Sequence, residues 1–256
     1  MCILFIAIAQ HPDYPLIVAA NRDEYFARAS DPMRFWPDHP EILAGRDQQA
    51  GGTWLGINKG GQFAAVTNYR ESSSFKSDAR SRGELVTRFL AEGFQKDGGR
   101  NFHQFLESNY RYYNPFNLIY GDKHAVWAWG HAGSSPNKLT AGFHSVSNGP
   151  IDQPWPKMSR GVEKLTQYIQ DSRSIEPNQL LAIMQDTTQA EFGQLPDTGL
   201  DIAREQQLSS IFVRGSEYGT RTTTLIRFSS ECIEISECNY DPAGNAAPMN
   251  SYVVEP

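Results

Sequence analysis

Residues 2–24 read Cys-Ile-Leu-Phe-Ile-Ala-Ile-Ala-Gln-His-Pro-Asp-Tyr-Pro-Leu-Ile-Val-Ala-Ala-Asn-Arg-Asp-Glu, and their pattern decides the fold. Residues 2–9 are a short apolar run suited to a buried strand, and 16–20 are another. Between them, Gln10-His11-Pro12-Asp13-Tyr14-Pro15 is rich in turn-forming residues. The spacing predicts an antiparallel hairpin whose second strand ends beside the start of the first. Asn21, Arg22, Asp23 and Glu24 then lie next to Cys2. A dense polar cluster directly after two apolar strands needs explaining, because strand ends are where sites tend to be built.

Cys2 itself carries chemistry. Methionine aminopeptidases accept small side chains at position two, so loss of Met1 would make Cys2 the first residue. Thiol and α-amine would then share one residue, with unperturbed pKa values of about 8.5 and about 7.7–8.0. An N-terminal amine can activate its own side chain for covalent catalysis. A nearby cation lowers a thiol pKa, and Arg22 is placed to supply one, while Asp23 could hold the amine. The same residues also read more plainly: Cys2 as a small hydrophobe in a buried strand, and Arg22–Asp23 as a structural ion pair at a solvated hairpin end.

Length and composition set outer bounds. With 256 residues, 39% hydrophobic and 20% charged, the chain has room for a substantial core, and one domain over 1–256 is expected. A net charge of −6 without a basic block argues against a nucleic-acid binder or docking on anionic lipid. The N-terminal run lacks a positive leader and is broken at Gln10-His11-Pro12, so no export signal is expected. No segment approaches the roughly 20 apolar residues of a membrane span. The three cysteines, Cys2, Cys232 and Cys238, show no disulfide-framework spacing. On an extended strand Cys232 and Cys238 would share a face about 20 Å apart, too far for a bond. They read as packing residues in a reducing compartment, and a cytoplasmic location is expected.

Farther along, 53–57 and 62–67 flank Asn58-Lys59-Gly60-Gly61, a hairpin signal. A polar stretch over 71–82 leads into a predicted helix at 83–95, with Leu85, Val86, Phe89 and Leu90 on one face. Further helices are predicted at 101–110, 159–170 and 177–185, the last with proline in its first turn. Strands are predicted at 116–120, 125–129, 143–147, 210–213, 222–228 and 232–237. The polar stretch 187–207 reads as a mobile loop over a site. Strands at both ends with helices between them predict a layered α+β fold whose terminal segments share sheets.

Three more positions join Cys2, Arg22 and Asp23. Asn68 closes the strand at 63–67, Asn148 closes the strand containing His144 and precedes Gly149-Pro150, and Arg221 sits at a strand mouth in Tyr218-Gly219-Thr220-Arg221. Asparagine amides at strand ends can donate to an oxyanion, often worth about 3 kcal/mol per donor. They are also ordinary turn residues, and an arginine at a strand mouth is ordinarily surface or ion-paired.

Ala20-Asn21-Arg22-Asp23-Glu24 resembles the signature of the NRDE family, also called the Transport and Golgi organization family. The resemblance continues through Gly51-Gly52-Thr53-Trp54-Leu55-Gly56, Thr67-Asn68-Tyr69-Arg70-Glu71, Arg82-Gly83-Glu84-Leu85-Val86 and Phe116-Asn117-Leu118-Ile119. It ends with Ser147-Asn148-Gly149, Pro154-Trp155-Pro156-Lys157 and Tyr218-Gly219-Thr220-Arg221, covering nearly the whole chain in order. The family is similar in turn to cysteine N-terminal-nucleophile hydrolases such as bile-salt and penicillin V acylases. That similarity implies a four-layer αββα sandwich in which Cys2, Arg22, Asp23, Asn68, Asn148 and Arg221 match the catalytic set. Cys2 would attack an amide or thioester carbonyl, its amine would relay the proton, and the two asparagines would hold the oxyanion. The family is known mainly for effects on secretory organisation, lipid metabolism and haem movement.

Two functions follow as expectations. One is an amidohydrolase or acyltransferase for a small acyl compound. The other is a non-enzymatic protein that binds or moves an acyl lipid or haem on the same fold, with Trp54, Trp127, Trp129, Trp155, Tyr110, Tyr112 and Tyr113 lining a pocket; such aromatics more commonly form core. No cofactor is expected. The six histidines lack metal-ligand spacing and no glycine-rich phosphate loop is present.

Overall fold

A computed structural model of the chain describes residues 2–71, 75–93, 99–130 and 135–256. In chain order its strands are β1 (Cys2–Ile8), β2 (Leu16–Tyr25), β3 (Ser30–Phe35), β4 (Ile42–Asp47), β5 (Leu55–Asn58), β6 (Phe63–Asn68), β7 (Phe116–Gly121), β8 (Val126–Trp129), β9 (Asn137–Lys138), β10 (Gly142–Val146), β11 (Tyr218–Phe228), β12 (Ile233–Asn239) and β13 (Asn250–Val254). The helices are α1 (Gly83–Glu92), α2 (Arg100–Asn109), α3 (Pro156–Asp171), α4 (Pro177–Met184) and α5 (Ile202–Gln207). They fall into two compact units: Met1–Ala27 with Ala141–Val253, and Arg28–Thr140 with Val254–Pro256.

The first unit is built on the N-terminal hairpin. β1 and β2 pair antiparallel with Cys2 opposite Arg22 and Ile8 opposite Leu16. They lie inside a sheet ordered β10–β1–β2–β11–β12–β13. Side chains alternate across a strand, so Ile3, Phe5, Ala7, Ile17 and Ala19 pack against Met158, Leu165 and Ile169 of α3 and Leu180 of α4. Cys2, Leu4 and Ile6 lie on the opposite face and are buried as well. Burial on both faces explains why the run is apolar throughout rather than alternating. Gly161 sets the helix-to-sheet distance. A Cβ there would lie 2.0 Å from the Phe5 ring, so only glycine admits this approach. Proline begins both α3 and α4, where a missing N–H costs nothing.

The second unit is an antiparallel sheet running β3 to β9 in chain order. Leu85, Val86, Phe89 and Leu90 of α1 are buried on the predicted face. With Phe102 and Leu106 of α2 they cover Ile42, Ala44, Ala64, Val66, Leu118 and Tyr120. Gly52 and Gly83 cross in van der Waals contact: a Cβ on Gly52 would lie 2.8 Å from the Gly83 carbonyl carbon. These two motif glycines therefore dock the start of α1 onto the sheet.

Several elements differ from expectation. β3, β4, β9 and β13 are not predicted: β3 and β9 lack an apolar run, and the runs in β4 (Ile42-Leu43-Ala44) and β13 (Tyr252-Val253-Val254) are only three residues long. Residues 210–213, predicted as a strand, form a buried irregular segment. Its backbone bonds elsewhere: Phe212 N–H donates to the Asp186 carbonyl, and Val213 accepts from Thr220 N–H. The stretch 187–207, read as a loop, contains a 3₁₀ turn at Phe192–Gln194 and α5. Of the helix predicted at 83–95, residues 94–95 lie outside the described residues, as do 72–74 of the polar stretch and His131. Of the seven aromatic residues, five form or pack on core: Trp129 and Tyr113 in the second unit, with Trp127 and Tyr110 packed against them, and Trp155 in the first; Trp54 is half-buried and Tyr112 exposed.

Gly161→Val should destabilise the protein by about 1–3 kcal/mol through overpacking against Phe5. Urea unfolding followed by circular dichroism checks this, and an unmoved midpoint would contradict the close approach.

Candidate active site

The hairpin register brings Cys2 and Arg22 to directly opposed positions on neighbouring strands, both buried. The Arg22 guanidinium reaches Glu24 at 3.8 Å. Asp23, one residue on, presents its side chain to the other face, where the carboxylate accepts from Thr220 Oγ1 at 2.6 Å. Its carbonyl accepts from Tyr218 Oη at 2.9 Å, and its backbone N–H donates to the Cys2 sulfur. Asp23 is thus fixed by three groups, two of them on β11.

Arg221 occupies a β-bulge rather than the strand mouth expected for it. Thr220 pairs with Asp23 and Thr222 with Arg22, leaving Arg221 as the extra residue of β11. A bulge re-aims one side chain without breaking the sheet. Here Arg221 is half-buried, and its Nη1 donates to the Tyr25 carbonyl at 3.3 Å.

Asn148 follows β10, which pairs with the other edge of β1. It is fully buried, beside Ser147. Ser147 Oγ lies 2.9 Å from the Cys2 carbonyl oxygen and 3.2 Å from Asn148 Oδ1, placed to donate to either. The turn beyond is held from several sides. Asp152, at φ +59°, accepts from His144 Nδ1 and from Ser145 N–H, each at 2.7 Å. A Cβ on Gly149 would lie 2.5 Å from the Trp155 ring. The Pro154-Trp155-Pro156-Lys157 motif is explained structurally: Trp155 packs on Gly149, and buried Lys157 donates to the Leu208 carbonyl at 3.1 Å.

Five of the six candidates, Cys2, Arg22, Asp23, Asn148 and Arg221, therefore belong to the first unit, on β1, β2, β11 and the turn after β10. Asn68 belongs to the second unit, half-buried at the end of β6 and paired with Phe116. Ser147, Tyr218 and Thr220 do not stand out in the sequence, although each sits in a quoted motif. Asn21, the first letter of the signature, plays a structural part. Its buried amide donates to the Met184 and Ile211 carbonyls at 2.8 and 2.9 Å and accepts from Thr223 Oγ1. Among the described residues no group of three or more His, Cys, Asp or Glu gathers as a metal site.

Burial pushes the Cys2 thiol above its ordinary value, and the Asp23 carboxylate adds to that rise. The N-terminal ammonium, then Arg22 and the Asp23 N–H, oppose it. Burial dominates, and the thiol stays protonated at neutral pH in this state.

Residues 1–240 match the family described as Transport and Golgi organisation 2. A Mus musculus Transport and Golgi organization 2 homolog is 34% identical over 246 residues, covering 88% of each chain. The chain belongs to the Transport and Golgi organisation 2 family. A Homo sapiens Transport and Golgi organization protein 2 homolog shows the same 34% identity and 88% coverage of each chain. Among solved structures, a Caenorhabditis elegans N-acylethanolamine-hydrolyzing acid amidase ortholog matches with a TM-score of 0.50 at 10% identity, covering 88% of this chain and 92% of that one. That likeness is one of fold. This Transport and Golgi organisation 2 family member has the α+β fold of the N-terminal-nucleophile hydrolases, with two antiparallel sheets that each carry helices.

The thiol's environment gives a direct expectation. The rate of Cys2 alkylation by iodoacetamide should rise with pH through a midpoint above the ordinary thiol value. Arg22→Gln should move that midpoint higher still and slow labelling at neutral pH, because it removes a charge that favours thiolate. Peptide mapping of labelled Cys2 reads both, and an unchanged profile would remove Arg22 from this role.

Proposed function

We propose that this protein is a cysteine N-terminal-nucleophile amidohydrolase or acyltransferase for an amide or thioester of a small acyl compound, active once Met1 is removed. The observation that carries this reading is the setting of Cys2. Its sulfur accepts from the Asp23 N–H and its carbonyl lies within hydrogen-bond reach of Ser147, directly before Asn148, with Arg22 opposite. In the proposed reaction the Cys2 α-amine takes the thiol proton as sulfur adds to the acyl carbonyl. The Asn148 amide donates to the resulting oxyanion. Collapse breaks the C–N or C–S bond, and the α-ammonium returns its proton to the departing amine or thiol, leaving a thioester on Cys2. Water or an acceptor amine then adds to that thioester and releases Cys2 as thiol.

Arg22 favours the thiolate, Asp23 orients the amine and Arg221 shapes the polar network. Asn68 is proposed as a second oxyanion donor on the sequence resemblance alone. The single 1–256 domain is proposed because the first unit is assembled from two separated chain segments. A cytoplasmic location is proposed from three free cysteines. Among the described residues, no helix is long and apolar enough to cross a membrane.

One observation favours a second reading, a non-enzymatic binder of an acyl lipid or haem: burial holds the thiol protonated, which suits a packing cysteine. Intact mass of protein from its native host, followed by incubation with p-nitrophenyl acetate, separates the two. On the catalytic reading, one methionine is missing and an acetyl group appears on Cys2. Cys2→Ala then abolishes acylation, and Asn148→Ala slows it by about a hundredfold or more. Retained methionine without acylation, or saturable fatty-acid binding unaffected by Cys2→Ala, would overturn the catalytic reading.

A further inference from the structure

The strongest unassigned group is the hydroxyl of Ser147. We propose that Ser147 is a positioning residue for acyl transfer, aligning the Asn148 amide with the Cys2 backbone. The proposal rests on the acyl-transfer reading above.

Ser147 is fully buried. Its hydroxyl stands between two acceptors of different residues, the Cys2 carbonyl at 2.9 Å and Asn148 Oδ1 at 3.2 Å. A hydroxyl has one proton, so the two acceptors share it, and a single oxygen fixes the position of both. The amide consequence is directional. Oδ1 and Nδ2 are opposite ends of a planar group, so turning Oδ1 toward Ser147 turns the Nδ2 hydrogens away from it, as an oxyanion donor requires.

The surrounding backbone is already clamped. Asp152 holds His144 and Ser145, its own N–H donates to the Ser145 carbonyl at 2.8 Å, and Gly149 packs on Trp155. Against that fixed backbone, Ser147 sets the orientation of the Asn148 side chain. Misplacing such a donor by an ångström costs far more in transition-state stabilisation than in folding.

The test separates oxyanion chemistry from thiol chemistry. Alkylation by iodoacetamide needs the thiolate but forms no oxyanion, whereas acylation by p-nitrophenyl acetate needs both. In the full chain, Ser147→Ala should slow Cys2 acylation about tenfold or more while leaving alkylation within about twofold. Ser147→Thr, which keeps the hydroxyl, should restore acylation. In an Asn148→Ala background, Ser147→Ala should cause no further loss, since it acts through that amide. Equal losses in acylation and alkylation, or full additivity with Asn148→Ala, would overturn the proposal. If wild type acylates Cys2 and Ser147→Ala does so equally fast, Ser147 alone loses its role. If wild type is not acylated at all, the catalytic reading falls and this proposal with it. Should Ser147→Ala melt below assay temperature, Ser147→Thr carries the test: a retained rate supports the role, and a fall to the Asn148→Ala rate rejects it.

Discussion

The first unit depends on one register, in which β1 and β2 pair so that Cys2 meets Arg22. Because side chains alternate along a strand, a slip of one residue would exchange the two faces of β1. Phe5 would then leave its place against Gly161, and Cys2 would turn toward the helices. The packing of Ile3, Phe5 and Ala7 under α3 and α4 therefore fixes more than stability. It chooses the face on which the thiol is presented, and it does so with residues that carry no chemistry.

The second constraint is polar satisfaction inside a sheet buried on both faces. Asn21, Asp23, Ser147, Asn148, Thr220 and Thr223 are all buried, and a buried polar group is costly unless bonded. The sheet resolves this by pairing neighbours. Asn21 is held by Thr223 and two carbonyls, Asp23 by Thr220, and Ser147 stands between Cys2 and Asn148. The threonines of β11 are thus the partners of the signature on β2. Two motifs about 200 residues apart in the chain form one hydrogen-bonded seam because β11 pairs with β2.

Sequence legibility followed the strength of the local signal. The first hairpin is unambiguous because two apolar runs flank a proline-rich turn, and α1 because its four buried residues keep helical spacing. β3 is not legible: its sequence Ser-Asp-Pro-Met-Arg-Phe buries only Met33, as an edge strand does. Residues 210–213 mislead in the opposite sense, since Ile211, Phe212 and Val213 are buried for packing while Phe212 bonds to the Asp186 carbonyl and Val213 meets β11 at Thr220 alone rather than along a ladder. The bulge at Arg221 is hidden because alternation gives no sign of one extra residue in a threonine-rich strand. Ser147 and Thr220 are hidden for a different reason. Both stand beside residues with more conspicuous chemistry, and only tertiary contacts show that they hold those residues in place.

The thiol's environment ties the proposed chemistry to N-terminal processing. With burial outweighing the N-terminal ammonium, Arg22 and the Asp23 N–H, the unprocessed site holds a protonated sulfur. A free amine on Cys2 changes two quantities together: protonated, it moves the terminal positive charge onto the residue that carries the sulfur, which favours thiolate, and neutral, it is the base itself. The same burial that disfavours thiolate excludes water, and there an amine, an arginine and an oriented amide act more strongly than they would at a surface. On the proposed reading, burial is thus the condition for catalysis rather than an obstacle to it, and removal of Met1 is the step that turns a packing cysteine into a nucleophile.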